Sequence, residues 1–139
     1  MGALGETRAS LRFFGADLDP DEITRLLGKE PSTAERKDQV IPRAKPSPDL
    51  VLRRGSWRLH VPDVFPGNLD AQIAELLAGT TPDLTIWKRL SAAYSGDVFC
   101  GLFLRTENEG LSISPATLRS LGDRGLILDL DIYKKGLDT

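Results

Sequence analysis

The stretch DVFCGLFLR, residues 97–105, decides the fold because it is apolar on both sides of an extended chain. Its alternating side chains form two sets, one of Val98, Cys100, Leu102 and Leu104, the other of Phe99, Gly101 and Phe103. Apolar side chains on both faces are typical of a strand in the interior of a sheet. We therefore predict an interior strand whose two phenylalanines lie on the face opposite the helices.

Strand and helix signals alternate on both sides of this stretch. Strands are predicted at RASLRFF (8–14), WRLHV (57–61) and LILDLDIY (126–133), with a short one at residues 111–113. Helices are predicted over residues 20–28 and 69–79, and from residues 82 and 115 onward. The first helix has the clearest start, because Asp19 can cap it, Pro20 suits its first position and Glu22 completes a capping box.

Two helix segments share one pattern, which bears on the topology. In 19–28 and in 114–122, a capping residue and a proline precede two apolar residues and a glycine. One interpretation is a duplicated β-α-β unit; the other is that short helices commonly begin and end this way. The order of elements predicts an α+β fold, a two-layer sandwich with a ferredoxin-like antiparallel sheet and helices on one face.

Composition limits the classes of protein that the chain can represent. Its 139 residues fit a single domain, predicted over residues 8–135, with tails at 1–7 and 136–139. One cysteine and one histidine exclude an internal disulfide and a multi-cysteine or two-histidine metal site. No apolar run fits a membrane helix and no secretory signal is visible, so we expect a cytoplasmic protein. Phosphate-loop and dinucleotide motifs are missing, and no cofactor is predicted.

Residues 29–54 differ from the rest of the chain in proline content and in charge. They contain four prolines, and their seven cationic and four anionic side chains give a net charge of +3. Prolines cannot donate ladder bonds, so we predict a long surface loop that does not extend the sheet regularly. Arg36, Lys37, Arg43 and Lys45 are its candidate partner-binding cations.

Three segments together resemble one protein family. They are LRFFGADLDPDEITRLLGKEPS (11–32), GSWRL (55–59) and LSISPATLRSLGDRGLILDLDIY (111–133). They are similar to the bacterial domain-of-unknown-function family numbered 4279, most specifically in the DLDP-helix-GxxP opening and the closing LDLDIY. The resemblance implies a single bacterial cytoplasmic α+β domain and carries no catalytic or binding residue.

The sheet face opposite the helices is the best candidate site. Three phenylalanines on that face need a cover, which the loop, a second copy of the chain or a ligand can supply. We favour a non-enzymatic binding or interaction module whose partner is a protein or an anionic small molecule; a homodimer is the third option. The candidate binding face consists of Arg12, Phe14, Arg58, His60, Phe99, Phe103 and Tyr133.

Two alternatives stay open at this point. Asp17, Asp19, Asp129 and Asp131 form two Asp-Leu-Asp segments, which can hold Mg²⁺ in a hydrolase or transferase acting on a phosphate-bearing small molecule. The simpler interpretation is a helix cap, a turn residue and the solvated side of an edge strand. An aromatic sheet face also stacks single-stranded nucleic acid, but the pI near 5.4 and the missing RNP-type run argue against it.

Overall fold

The computed structural model describes residues 2–3 and 5–134, and the tail predicted at 136–139 lies outside them. No helix in the described ranges is long and apolar enough to span a membrane. The elements are β1 (Gly2–Ala3), β2 (Glu6–Gly15), α1 (Pro20–Leu27), β3 (Thr33–Glu35), β4 (Val40–Ile41), β5 (Leu50–Val51), β6 (Gly55–His60), α2 (Leu69–Leu77), α3 (Leu84–Ala93), β7 (Ser95–Leu104), β8 (Glu109–Gly110), α4 (Pro115–Asp123) and β9 (Ile127–Lys134).

Five strands form the main sheet in the order β3-β6-β2-β7-β9. Neighbours are antiparallel except β7 and β9, which are parallel. The α+β class and the two-layer sandwich are therefore confirmed, and β7, which contains the quoted stretch, is an interior strand as predicted. The expectation of a purely antiparallel sheet was wrong at one edge, because α4 carries the chain back so that β9 runs alongside β7 in the same direction.

The two helix segments with a shared pattern connect their strands differently. Helix α1 joins β2 to β3, which run in the same direction with β6 between them. Helix α4 lies between β7 and β9, which are direct neighbours. Both helices thus lie between strands that run in the same direction, although at different separations in the sheet, and both begin with proline following an N-cap side chain.

All four helices pack on one face of the sheet, where they bury a continuous apolar core. Its largest members are Phe13, Trp57 and Trp87. The ring centroid of Phe13 lies 6.0 Å from that of Trp57 and 6.3 Å from that of Trp87. Both indole N–H groups are satisfied, Trp57 Nε1 donating to Thr24 Oγ1 and Trp87 Nε1 to the Thr81 carbonyl. The buried face of the sheet is thus a rigid aromatic layer that fixes the strands beneath the open face.

Helix α1 begins and ends where the sequence predicts. Asp19 caps it, Pro20 occupies its first position, and Gly28 ends it with a left-handed φ of 75°. The predicted capping box is incomplete, because the Asp19 side chain accepts from the Asp21 N–H and Glu22 pairs with Arg25 instead.

Residues 29–54 are more regular than predicted. Strand β3 adds to the main sheet next to β6, and β4 and β5 form a separate two-stranded hairpin. The prediction that this segment cannot extend the sheet was wrong because its prolines, at 31, 42, 46 and 48, all fall outside the three strands.

Three other expectations need correction. Strand β2 starts at Glu6 and β1 pairs with β8, so the predicted tail 1–7 contains strand residues, among them the buried Thr7. The short strand expected at 111–113 is irregular, and pairing occurs at β8 instead. The alternation of LILDLDIY predicts Leu128 and Leu130 on the helix-covered face, but Leu130 is 43% exposed because β9 is the edge of the sheet.

Gly55 is required where the chain enters β6. A Cβ placed there would lie 2.3 Å from the Leu18 carbonyl oxygen, a backbone atom that cannot easily move. We predict that Gly55→Ala lowers the free energy of unfolding by about 1–3 kcal/mol. The matched control is Gly122→Ala in α4, where a Cβ meets nothing within 4 Å. It should gain about 0.5–1 kcal/mol, and urea denaturation of both variants checks the contrast; equal effects would contradict it.

Asp70 of α2 ties that helix to the start of α4. Its carboxylate accepts from Thr117 Oγ1 at 2.7 Å and from the Ser114 N–H at 3.0 Å. The bond from Thr117, followed by that from Ser114, lowers the pKa of Asp70 below its ordinary value of 3.8. The ionised form is therefore the one that holds α4 in place.

A pH series tests this bridge. Because the pKa of Asp70 is depressed in the folded state, its contribution is complete above its ordinary pKa and is lost as pH falls through the folded value. We predict that Asp70→Asn is less stable than the parent at neutral pH and that the difference disappears in acid. The control is Glu75→Gln, an exposed carboxylate on the same helix. A gap that is constant with pH would contradict the assignment.

Candidate functional site

The face of the sheet opposite the helices, here called the open face, carries the predicted binding residues. Cross-strand register sets Arg12 opposite Arg58, and Ser10 opposite both His60 and Phe99. Tyr133 of β9 stacks on Phe103 of β7 with ring centroids 5.1 Å apart. The structure therefore brings together all seven members of the predicted binding face: Arg12, Phe14, Arg58, His60, Phe99, Phe103 and Tyr133.

Arginines of the sheet itself cover the phenylalanine rings. The Arg12 guanidinium lies 4.2 Å from the centroid of Phe99 and 5.0 Å from that of Phe14. Arg8 lies over Phe103 at 4.7 Å. From the sequence, the expected cover of these phenylalanines was the loop, a second copy of the chain or a ligand. The cation–π arrangement with neighbouring arginines was not predicted. Alternation along 8–14 was the available signal, because Arg8, Arg12 and Phe14 share one side of the strand.

Arg12 is also the centre of an ion-pair network. Its Nε and Nη2 atoms donate to the Asp97 carboxylate at 2.8 and 2.7 Å, and Asp129 lies 3.8 Å away. The side chains of Arg12 and Asp97 are only 20% and 16% exposed. The hydrogen bond that Arg12 donates to Asp97 is the main cause that raises the pKa of Arg12, so the guanidinium stays charged at all physiological pH values. Asp97 was not predicted as a site residue, although it begins the quoted stretch.

Two further arginines share the Phe14 ring without a carboxylate partner. Arg54 and Arg58 lie 4.4 and 5.2 Å from its centroid, and neither forms a salt bridge within the described part of the chain. The Nε atom of Arg58 is buried and has no hydrogen-bond partner there. We call Phe14, Arg54 and Arg58 the arginine corner.

The arginine corner borders a cavity of about 360 Å³ between the open face and the β4–β5 hairpin. Its walls combine cationic and apolar side chains, with one carboxylate. The lining residues are Phe14, Glu35, Leu50, Val51, Leu52, Arg53, Arg54, Ser56 and Arg58.

The predicted basic loop does not form one cationic surface. Arg36 pairs with Asp19 at 2.9 Å and with Asp21 at 2.5 Å, which neutralises it. The Arg36 hydrogen bond is the main cause that lowers the pKa of Asp19. Arg43 donates to the Pro48 carbonyl within its own loop. Lys37 and Lys45 are exposed and do not line the cavity. Of the cations in residues 29–54, Arg53 and Arg54 are the ones that border it.

The structure places the four candidate metal-binding aspartates in different surroundings. Asp17 is exposed, while Asp19 caps α1 and binds Arg36. On β9, Asp129 approaches Arg12 and Asp131 accepts a hydrogen bond from the Tyr133 hydroxyl. Within residues 2–3 and 5–134, no three histidine, cysteine or acidic residues group closely enough to hold a metal ion.

The single histidine and cysteine have separate roles. His60 Nδ1 lies 2.7 Å from Ser10 Oγ, a pairing that the sequence analysis did not find. The described structure shows no carboxylate bonded to His60, so the third group of a catalytic triad is missing there. Cys100 is fully buried, and burial raises the pKa of its thiol to about 12, so it packs as a small apolar residue, as expected.

Comparison with known proteins identifies the family. The sequence model of one family, Domain of unknown function (DUF4279), matches residues 5–135. The chain belongs to this family. The match confirms the resemblance found in the sequence and spans the open face and the cavity. No curated protein and no solved structure matches the chain.

The Arg12 network gives a prediction about stability. Arg12→Gln removes both bonds to Asp97 and leaves that carboxylate, which is only 16% exposed, without its partner. Because an unpaired carboxylate shielded from water is costly, we expect a loss of about 1.5–3 kcal/mol in the free energy of unfolding. The control is Arg8→Gln, whose side chain is 56% exposed beside Asp63 and which should lose under ~1 kcal/mol. Urea denaturation measures both, and similar losses would show that the network is not central.

Proposed function

We propose that this domain is a non-enzymatic binding module that takes up an anionic small molecule at the arginine corner of the open face. The observation that supports the proposal is the sharing of the Phe14 ring by Arg54 and Arg58 beside a cavity, with no carboxylate in salt-bridge range in the described chain. A cytoplasmic location and a bacterial source belong to the same proposal.

The electrostatics of the corner favour an anion. Two like charges held near one ring repel each other, and the repulsion is strongest where protein displaces water. Arg12 and Arg8, which cover the other phenylalanine rings of the open face, have carboxylate partners, Arg12 with Asp97 and Arg8 with Asp63. A bound anion would supply the corner with the counter-charge that Arg12 and Arg8 already have, and it would accept hydrogen bonds from the guanidinium groups that line the cavity.

The corner also favours a small ligand over the two alternatives. Metal-dependent chemistry needs converging carboxylates, and the four candidate aspartates have other partners or stand alone. A single-stranded nucleic acid needs a long cationic track, whereas the rest of the open face carries Asp97, Asp129 and Asp131. Both alternatives stay hypotheses, and a protein partner is a third.

Calorimetric titration with phosphate, sulfate, citrate and acetate at low ionic strength tests the proposal. We expect at least one of these anions to bind, and Arg54→Gln with Arg58→Gln to weaken its affinity about ten- to hundredfold.

The matched control is Lys37→Gln with Arg43→Gln, which removes the same charge from exposed positions outside the cavity. It should leave the affinity nearly unchanged. Equal weakening by both double variants would reduce the effect to net charge and overturn the site, and no binding of any anion would overturn the proposal.

A further inference from the structure

We infer that the ligand of the arginine corner is a small phosphate monoester that carries an aromatic or other apolar group. This inference rests on the proposed function and specifies its substrate class. It follows from the lining of one cavity, which combines arginines with the Phe14 ring and with apolar side chains of the hairpin; we call these its cationic wall and its apolar wall.

The cationic wall fits a dianion better than a single carboxylate. Arg54 and Arg58 both lie against Phe14, and Arg53 adds a third cation to the lining. A single carboxylate would leave at least one of these guanidinium groups without a counter-charge. A phosphate monoester carries nearly two charges at neutral pH and offers three oxygens, which match planar guanidinium donors.

One carboxylate in the lining sets the charge that a ligand must balance. Glu35 accepts a hydrogen bond from Ser56 Oγ at 3.3 Å and makes no salt bridge with the cavity arginines in the described residues. It pairs with Ser56 across the sheet, and Ser56 lies between Arg54 and Arg58 in the chain, so the carboxylate is close to the cationic wall. Three arginines and one carboxylate line the cavity, and the charge they leave is one that a dianion balances.

The apolar wall explains why the ligand should have an apolar group. Leu50 and Val51 line the cavity from the hairpin, yet they are 41% and 50% exposed. Inorganic phosphate would leave them exposed to water, whereas a ring or short chain on the phosphate would cover them together with Phe14. The cavity volume of about 360 Å³ lies near the lower end of small-molecule sites.

The hairpin that forms this wall is held in place at its base. Backbone bonds join Asp38 N–H to the Leu52 carbonyl at 2.7 Å and Leu52 N–H to the Gln39 carbonyl at 2.9 Å. Arg36, just before the hairpin, is tied to Asp19 and Asp21 at the start of α1. These bonds close the base of the hairpin, from which the chain runs directly into Arg53 and Arg54.

Titration with four probes tests the inference, using phenyl phosphate, inorganic phosphate, benzoate and benzyl alcohol. Phenyl phosphate combines a dianion with a ring, and each of the others lacks one of these properties. We expect phenyl phosphate to bind at least tenfold more tightly than any of the other three.

Variants of the hairpin test the contribution of the apolar wall to binding. Leu50→Ser with Val51→Ser should lower the affinity for phenyl phosphate toward that of inorganic phosphate, and unchanged phosphate binding shows that the cavity is intact. The control is Val40→Ser, which alters an exposed apolar residue of the same hairpin that does not line the cavity. It should leave both affinities unchanged, and a loss equal to that of the double variant would overturn the apolar wall.

The outcomes separate this inference from the proposed function. Equal affinity for phenyl phosphate and inorganic phosphate would overturn the apolar group while leaving anion binding intact. Benzoate binding as tightly as phenyl phosphate would overturn the dianion. A phosphotyrosine peptide that binds much more tightly than phenyl phosphate would replace the small molecule with a protein partner. Binding of none of the anions would overturn the proposed function itself.

Discussion

The open face depends on one interaction, the placement of the Arg12 guanidinium between the Phe14 and Phe99 rings with two bonds to Asp97. Phenylalanines on an uncovered sheet face would ordinarily expose apolar area to water. Here a cation covers them, and a half-buried carboxylate on the neighbouring strand balances its charge. The sheet can therefore keep aromatic side chains on this face without a second layer of helices.

The same arrangement leaves the arginine corner available. Asp97 and Asp129 both lie on the β7 and β9 side of Arg12, whereas Arg58 lies on its β6 side, opposite Arg12 in the cross-strand register, and has no carboxylate partner in the described chain. The corner is at the β6 and β3 side of the sheet, where the hairpin rises and Glu35 already binds Ser56. Arg12 at the centre of the face thus has a carboxylate partner, whereas Arg54 and Arg58 at its edge have none in the described chain. The cavity lies at that edge.

Local signals predicted much of the fold, and long-range geometry accounts for most of what they missed. The start of α1 and the interior position of β7 follow from capping chemistry and from a strand that is apolar on both faces, which need only neighbouring residues. The direction of β9 and the pairing of β3 depend on where a helix returns the chain, which no short pattern encodes. The open face was predicted by alternation, but its cover was not, because Arg12 was predicted as a binding residue and not as a partner for the rings beside it, and Arg8 was given no role.

The two sides of the sheet are built from different interactions. On the helix side, Phe13, Trp57 and Trp87 pack in a layer that excludes water, so substitutions there act on folding. On the open face, the rings meet guanidinium groups, of which Arg12 is held by two bonds to Asp97. Because Phe13 and Phe14 are successive residues of β2, the strand that centres the core also presents the ring of the arginine corner. The packed core on one side therefore holds in place the strand that carries the rings and Arg12 on the other.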